Sequence, residues 1–190
     1  MSINRNVIRI LAFSAVTLLY LWFPWSMIQQ QERILHDGAY YLFRPEIADP
    51  YDAFRGRFLQ VSFNNRLETP LSFELGEVAY VSVGKGDDGM GYFSGISKAT
   101  PAVGDYLKTT VMYQDKKRLT FVLPDNLLRY YLNEKKAPLA EELYQKGLLR
   151  ERDSTSVDVT IGLRFLKGEV LIEQVFFNGE PVESYVTKNR

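Results

Sequence analysis

The sequence lacks cysteine, so it can form neither a disulfide framework nor a thiolate metal site. Its single histidine, His36, excludes a histidine-rich metal site and leaves only one candidate base for a classical catalytic triad. The chain also lacks net charge, because 23 basic residues balance 23 acidic ones, and no global field steers it toward nucleic acid. From these absences we predict no metal, no cofactor and no nucleic-acid partner.

Charge is also missing from one long segment near the N-terminus, residues 10–28, "ILAFSAVTLLYLWFPWSMI". As a helix this run spans about 28 Å, close to the roughly 30 Å hydrocarbon core of a bilayer. Trp22 and Trp25 lie near its end, where aromatic residues favour the membrane surface. A buried core helix and a cleaved signal peptide are the alternatives, but "FPWSMIQQQ" offers no small residues for cleavage. We predict an uncleaved signal anchor that binds the lipid bilayer.

The residues around this run predict the orientation and the domain organisation. Arg5 and Arg9 precede it, and a short basic N-terminus ahead of one span usually stays inside the cell. The residues that follow, "QQQERILH", extend the helix until Gly38 ends it. The prediction is a single-pass protein of the cytoplasmic membrane with a cytoplasmic N-terminus (1–9), a transmembrane helix (10–28), a helical extension (29–38) and an extracytoplasmic β-rich domain (39–190).

Beyond Gly38 the hydrophobic period changes from 3.6 to 2, which predicts about eight to ten strands. The candidate strands are "AYYLF", "RFLQVSF", "EVAYVSV", "YFSGIS", "DYLKTTVMY", "KRLTFVL", "VDVTIGLRFL", "EVLIEQVFF" and "PVESYV". One segment, "APLAEELYQKG", has a helical pattern, with Pro138 at the first position and Gly147 as the C-terminal cap. The predicted fold class is α+β, mostly β and mainly antiparallel, with one or two short helices after the N-terminal one.

The segment "DPYDAFRGRFLQVSF" combines a turn, several charges and a strand. Asp49 and Asp52 can cap the turn with their side-chain oxygens, Gly56 permits an unusual backbone angle, and Arg55 can pair with the acids. One interpretation is therefore a structured loop before a buried strand. A second is a catalytic site in which Asp49 or Asp52 acts as a general acid or base together with Glu134 or Glu141. A third is a binding surface for a partner or a glycan.

The strand that follows has alternating faces. Phe58 and Gln60 share one face, whereas Leu59, Val61 and Phe63 share the other. A slip of one residue would turn this second set away from the core. We therefore predict that Leu59, Val61 and Phe63 are core residues.

This same segment resembles the signature of the GDYXXLXY-motif family, which consists of bacterial membrane-anchored proteins. In that signature a turn rich in Asp and Pro leads into Gly-Asp-Tyr, two residues, Leu, one residue and Tyr. The corresponding residues here are Gly56, Arg57, Phe58, Val61 and Phe63. Because Arg57 stands where the family has aspartate, a catalytic acid at that position is disfavoured. The resemblance extends over most of residues 40–186 and implies a location in the bacterial inner membrane.

The segment "RYYLNEKK" brings Arg129, Tyr130, Tyr131 and Glu134 close together. The tyrosines could stack on a sugar or a partner, or pack on the sheet. The candidate binding residues of the whole chain are Asp49, Asp52, Arg55, Arg129, Tyr130 and Glu134.

The predicted function is a non-catalytic interaction module outside the cytoplasm, an accessory subunit of a membrane complex. Its partner would be a multi-spanning membrane protein, as the family's setting implies. One alternative is a cell-envelope hydrolase that uses Asp49 or Asp52 and Glu134. The other is a chaperone-like domain that binds extended segments at a sheet edge.

Overall fold

A computed structural model describes residues 5–46, 58–149 and 157–188. The candidate site residues Asp49, Asp52, Arg55 and Gly56 lie outside these ranges. The described helices are α1 (Arg5–Asp37), α2 (Asp125–Leu128), α3 (Ala137–Leu149) and α4 (Val182–Lys188). The described strands are β1 (Ala39–Phe43), β2 (Phe58–Gln60), β3 (Arg66–Glu68), β4 (Val78–Lys85), β5 (Gly91–Ser97), β6 (Tyr106–Asp115), β7 (Arg118–Phe121), β8 (Arg129–Tyr131), β9 (Val159–Leu166), β10 (Glu169–Phe177) and β11 (Glu180–Pro181).

Helix α1 runs without interruption through the uncharged segment and the polar residues that follow it. Pro24 lies inside the helix, where it donates no backbone hydrogen bond. The helix ends where predicted, and the N–H of Gly38 donates to the carbonyl of Ile34 at 3.0 Å. Taken over the described residues alone, no helix combines the length and the hydropathy that a membrane crossing needs.

Among the described residues, nine strands form one sheet in the order β11-β10-β9-β1-β5-β4-β6-β7-β3. The pairings are antiparallel except for β1 with β5, which meet in parallel through Phe43 and Gly91. Strands β2 and β8 form a separate antiparallel pair. The prediction of a mostly β fold is therefore confirmed, and the main sheet is mixed.

The main sheet curves back around its own core. Leu107 of β6 pairs with Gly168, in the turn between β9 and β10, although three strands separate β6 from β9 in the sheet order. The space enclosed by this curvature is filled by aromatic rings whose centroids lie 5.2 to 5.9 Å apart. These rings belong to Phe43, Phe63, Phe93, Phe121 and Phe165.

The predicted register of the segment after the signature glycine is confirmed. Leu59, Val61 and Phe63 are all buried, whereas Phe58 is only partly covered. The strand is shorter than predicted, because β2 pairs with the three residues of β8 and then diverges. Its continuation is held by Ser62, whose carbonyl accepts a hydrogen bond from the N–H of Glu46 at 2.8 Å.

The C-terminal segment "PVESYV" was predicted as a strand, and that prediction is wrong. The Asn178-Gly179 turn exists, and both residues have positive φ, but β11 is only two residues long. The chain then forms α4, in which Val182 and Val186 share one face and are fully buried. With α2 and α4 present, the described chain has three helices after α1 rather than one or two.

Helix α3 is confirmed at the predicted place, but its predicted end is wrong. Gly147 lies inside the helix, which continues to Leu149. A Cβ at Gly147 would lie 2.4 Å from the carbonyl oxygen of Val157. The glycine therefore permits a close approach of the backbone before β9 and does not terminate the helix.

Candidate interaction surface

Helix α1 carries large apolar side chains that remain exposed. Successive residues are rotated by about 100°, so these side chains are distributed around the whole circumference of the helix. Each of them is at least half exposed. They are Leu11, Phe13, Val16, Leu18, Leu19, Tyr20, Leu21, Trp22, Phe23, Trp25, Met27 and Ile28. Water is a poor environment for such a surface, because each large apolar side chain gains roughly 1.5–3 kcal/mol when it is fully buried.

Only the last turns of α1 pack against the sheet. Ile34 is buried, and the side-chain amide of Gln30 donates a hydrogen bond to the carboxylate of Glu169. Arg164 of β9 donates to the carbonyl of Gly38 at 3.0 Å. These contacts fix the direction in which the helix leaves the sheet, and the large apolar side chains between Leu11 and Ile28 stay at least half exposed.

A groove opens where α1 meets the turn between β9 and β10, and we call it the helix-base groove. Its volume is about 490 Å³. The helix contributes one face, on which Trp22, Ser26, Gln29 and Arg33 follow at intervals of three and four residues. The turn contributes the opposite wall. The residues that line the groove are Trp22, Trp25, Ser26, Gln29, Gln30, Arg33, Ile34, Leu166, Lys167 and Glu169.

The turn between β9 and β10 has a fixed backbone. Lys167 and Gly168 both have positive φ, 51° and 89°, as a two-residue hairpin turn requires. The carbonyl of Gly168 accepts a hydrogen bond from the N–H of Lys108 at 2.8 Å, and a Cβ at Gly168 would lie 2.8 Å from the ring of Tyr106. The turn is therefore held against β6, and this contact positions the backbone of Lys167 beside α1.

The structure places the second group of predicted binding residues on and after β8. Arg129 is exposed, and its guanidinium lies 5.4 Å from the ring centre of Phe58. Glu134 is exposed on the segment before α3 and does not line the helix-base groove. Tyr130 points inward and is partly buried. Arg129 and Glu134 therefore face the solvent, whereas Tyr130 faces the core.

Tyr130 belongs to a polar cluster that joins β8, β10 and α4. Its hydroxyl donates to one oxygen of the Glu183 carboxylate at 2.8 Å, and Gln174 donates to the other oxygen at 2.8 Å. Lys136 donates to the backbone carbonyl of Glu183 at 3.0 Å. Burial and the hydrogen bond to Glu183 raise the pKa of Tyr130 far above its ordinary value, so the phenol stays protonated. This cluster orients α4 and has the character of a structural network.

A second tyrosine-carboxylate pair lies at the start of β6. The hydroxyl of Tyr41 donates to Asp105 at 2.8 Å, and Gly104 before it has a φ of 86°. The residues Gly104, Asp105 and Tyr106 read Gly-Asp-Tyr, but the leucine and tyrosine of the family signature do not follow at its spacing. Burial and the hydrogen bond to Asp105 raise the pKa of Tyr41 to about 12.

This raised pKa predicts a specific loss of stability in alkali. An unfolded tyrosine ionises near pH 10, so the contribution of Tyr41 is complete below pH 10 and is lost as the pH rises toward 12. In chemical unfolding of the full-length protein in detergent, we expect Tyr41→Phe to lower stability by about 1 kcal/mol below pH 10. Above pH 10 the stability of this variant should fall less steeply than that of the wild type.

The control for this measurement is Tyr113→Phe, which removes an exposed tyrosine of β6. We expect it to leave the alkaline slope as it is in the wild type. If the stability of Tyr41→Phe fell as steeply above pH 10 as that of the wild type, the hydrogen bond to Asp105 would not raise the pKa of Tyr41 in the folded protein.

The two described ends of the main sheet do not favour the addition of another strand. Strand β3 is three residues long and presents Arg66 and Glu68, and strand β11 ends in Pro181. Short strands, charges and proline are the usual protection of a sheet edge. In the ranges that the structure describes, no three His, Asp or Glu side chains are grouped to hold a metal ion.

Together these features define a class, a mostly β unit with a long, apolar and largely uncovered N-terminal helix. The chain belongs to the GDYXXLXY protein family, whose sequence profile matches residues 20–175. The matched range includes the tryptophans of α1, the signature strand and nearly all of β10, and the predicted family membership is confirmed. No curated protein and no solved structure has significant similarity to the chain.

The helix-base groove was not predicted from the sequence. The Lys167-Gly168 pair between two apolar strands is a readable hairpin signal. That this turn meets α1 depends on the order and curvature of the strands, for which the sequence contains no local signal.

Proposed function

We propose that this protein is a membrane-anchored interaction module. Helix α1 crosses the cytoplasmic membrane with residues 10–28, and the β-rich unit works outside the cytoplasm as a non-catalytic accessory subunit of a membrane protein complex. The observation that carries the proposal is the exposed apolar surface of α1, which surrounds the helix and ends where the helix meets the sheet. A hydrocarbon environment is the simplest one that covers every side of such a helix.

The energetics of insertion support this proposal. Between Ile10 and Phe23 eight residues are Ile, Leu, Val or Phe, and near the centre of a bilayer they favour insertion by roughly 2–5 kcal/mol in total. The backbone N–H and C=O groups of a helix also bond to one another, which matters because lipid tails offer them no hydrogen-bond partners. Trp22 and Trp25 would then lie at the outer membrane surface, next to the sheet.

Two observations favour a partner within the membrane over a substrate. Glu134, the described member of the suggested hydrolase site, is exposed and lies outside the grooves around α1. Both ends of the main sheet are protected, so the addition of a strand there has little support. A multi-spanning membrane protein that packs beside α1 is the partner whose chemistry fits the remaining apolar surface.

Topology provides the test of this proposal. Protease added to intact spheroplasts should digest residues 40–190 and leave a small membrane-bound fragment that contains α1. Lysed spheroplasts should give the same fragment, and a cytoplasmic protein should be digested only after lysis. Full protection of residues 40–190 in intact spheroplasts would reverse the orientation, and recovery of the undigested protein in the soluble fraction would overturn the anchor.

A further inference from the structure

The side chains that line the helix-base groove change from aromatic to cationic along the axis of α1. Trp22 and Trp25 line its lower part, and Arg33 lies eleven residues beyond Trp22, about 16 Å higher on the same face of the helix. Lys167 lines the opposite wall. The groove is thus aromatic toward the uncharged segment and cationic toward the sheet.

The two cations come from separate elements and are both exposed. Arg33 belongs to α1, and Lys167 is presented by the rigid turn between β9 and β10. Glu169 is the acid among the lining residues, and it already accepts a hydrogen bond from Gln30. Lys108 adds a third exposed cation in the adjacent groove of about 350 Å³ on the other side of the turn. An anion that enters the helix-base groove therefore meets a positive balance of charge.

We propose that the helix-base groove binds one anionic phospholipid from the outer leaflet. The phosphate lies between Arg33 and Lys167, and the acyl chains run along Trp22 and Trp25 toward the uncharged segment. This inference rests on the proposed function, because it requires α1 to be in the bilayer. A phospholipid fits better than a soluble anion because the groove continues directly into the exposed apolar surface of the helix.

Such a site has a mechanical consequence for the molecule. A lipid held by both Arg33 and Lys167 links the helix to the β9–β10 turn at the membrane surface. The sheet is then fixed in height and tilt above the bilayer. Each cation near an anionic surface contributes about fivefold to binding at low ionic strength, and the contribution decreases as salt screens it.

The composition of the chain offers a direct probe, because Trp22 and Trp25 are its two tryptophans. The full-length protein is reconstituted into vesicles of three parts phosphatidylcholine and one part phosphatidylglycerol, in which one of the two lipids carries brominated acyl chains. Bromine quenches tryptophan fluorescence on contact. We expect brominated phosphatidylglycerol to quench at least about threefold more per molecule than brominated phosphatidylcholine.

The variant Arg33→Gln/Lys167→Gln should lose this preference while keeping the ordinary quenching by both lipids. The matched control is Arg118→Gln/Lys116→Gln, which removes a lysine from the β6–β7 turn and an arginine from the first residue of β7. Both double variants remove two positive charges, and the two lysines share the same backbone context, because Lys116 has a φ of 53° and Lys167 a φ of 51°. The control should retain the wild-type preference.

The outcomes separate the lipid site from the anchor. Equal quenching by both brominated lipids in the wild type would leave the anchor intact and overturn the lipid site. Absence of quenching by either lipid would overturn the anchor itself. If millimolar glycerol phosphate abolished the preference at constant ionic strength, the groove would be a site for soluble phosphate, and the assignment to a lipid would be wrong.

Discussion

Replacing Leu18 and Leu19 with arginine is expected to release the protein from the membrane. Both side chains lie near the middle of the uncharged segment and are about two-thirds exposed, at 67% and 68%. Each arginine near the bilayer centre costs about 2.5–3.5 kcal/mol, and each lost leucine removes a further favourable increment. The total, about 6–8 kcal/mol, exceeds the roughly 2–5 kcal/mol by which the apolar residues favour insertion. The variant should therefore move to the soluble or aggregated fraction after a carbonate wash.

The matched control adds the same two charges to the β-rich unit. Leu75 and Val103 are 81% and 90% exposed, so Leu75→Arg/Val103→Arg places two arginines in water without disturbing the core. This control should stay in the membrane fraction. If Leu18→Arg/Leu19→Arg also stayed there after the wash, the apolar surface of α1 would not be the anchor, and the proposed function would have to be abandoned.

The features that could be predicted from the sequence are those whose signal is local. A long uncharged apolar run predicted α1, and Gly38 marked its end, where a Cβ would lie 2.3 Å from the carbonyl oxygen of Ile34. Alternation in "RFLQVSF" placed Val61 and Phe63 in the core, because a period of two assigns neighbouring residues to opposite faces of a strand. The Asn178-Gly179 turn was readable because asparagine and glycine tolerate positive φ.

The errors arose where two periods coincide or where tertiary contacts decide. In "PVESYV", Val182 and Val186 are four residues apart, a spacing that places side chains on one face of both a strand and a helix. Pro181 ends the pairing with β10, and burial of both valines then favours α4. Gly147 was predicted as a helix cap, but it lies inside α3 and allows the backbone of Val157 to pack closely against the helix. No local pattern reveals this contact.

Of the two candidate surfaces, the apolar helix could be predicted from the sequence and the helix-base groove could not. The apolar helix is a property of consecutive residues, so its composition predicted it directly. The helix-base groove joins Arg33 to Lys167 through the register of β9 with its neighbours and through the bridge from Leu107 to Gly168. Its existence depends on sheet curvature, and curvature is the sum of many small twists that no short segment specifies.

The family signature itself gives the last prediction, which concerns whether these residues form the core or a site. Phe63 occupies the position of the final signature tyrosine, is 2% exposed and meets the ring of Phe43 edge-on with centroids 5.9 Å apart. We expect Phe63→Ala to destabilise the protein by about 3–5 kcal/mol, since it removes buried area and leaves a cavity in a packed aromatic cluster. For a chain of this size the midpoint of thermal unfolding should fall by roughly 6–20 °C.

The matched variant is Phe58→Ala, at the position of the first signature tyrosine. Phe58 is only partly covered, by Tyr131 and by the guanidinium of Arg129, so its loss should cost about 1 kcal/mol or less. Both variants are measured by thermal unfolding of the full-length protein in detergent. A large loss for Phe63 and a small one for Phe58 is the asymmetry that a core register requires. Equal and small losses would mean that the aromatic signature serves binding rather than folding, because a binding surface can lose either ring without unfolding.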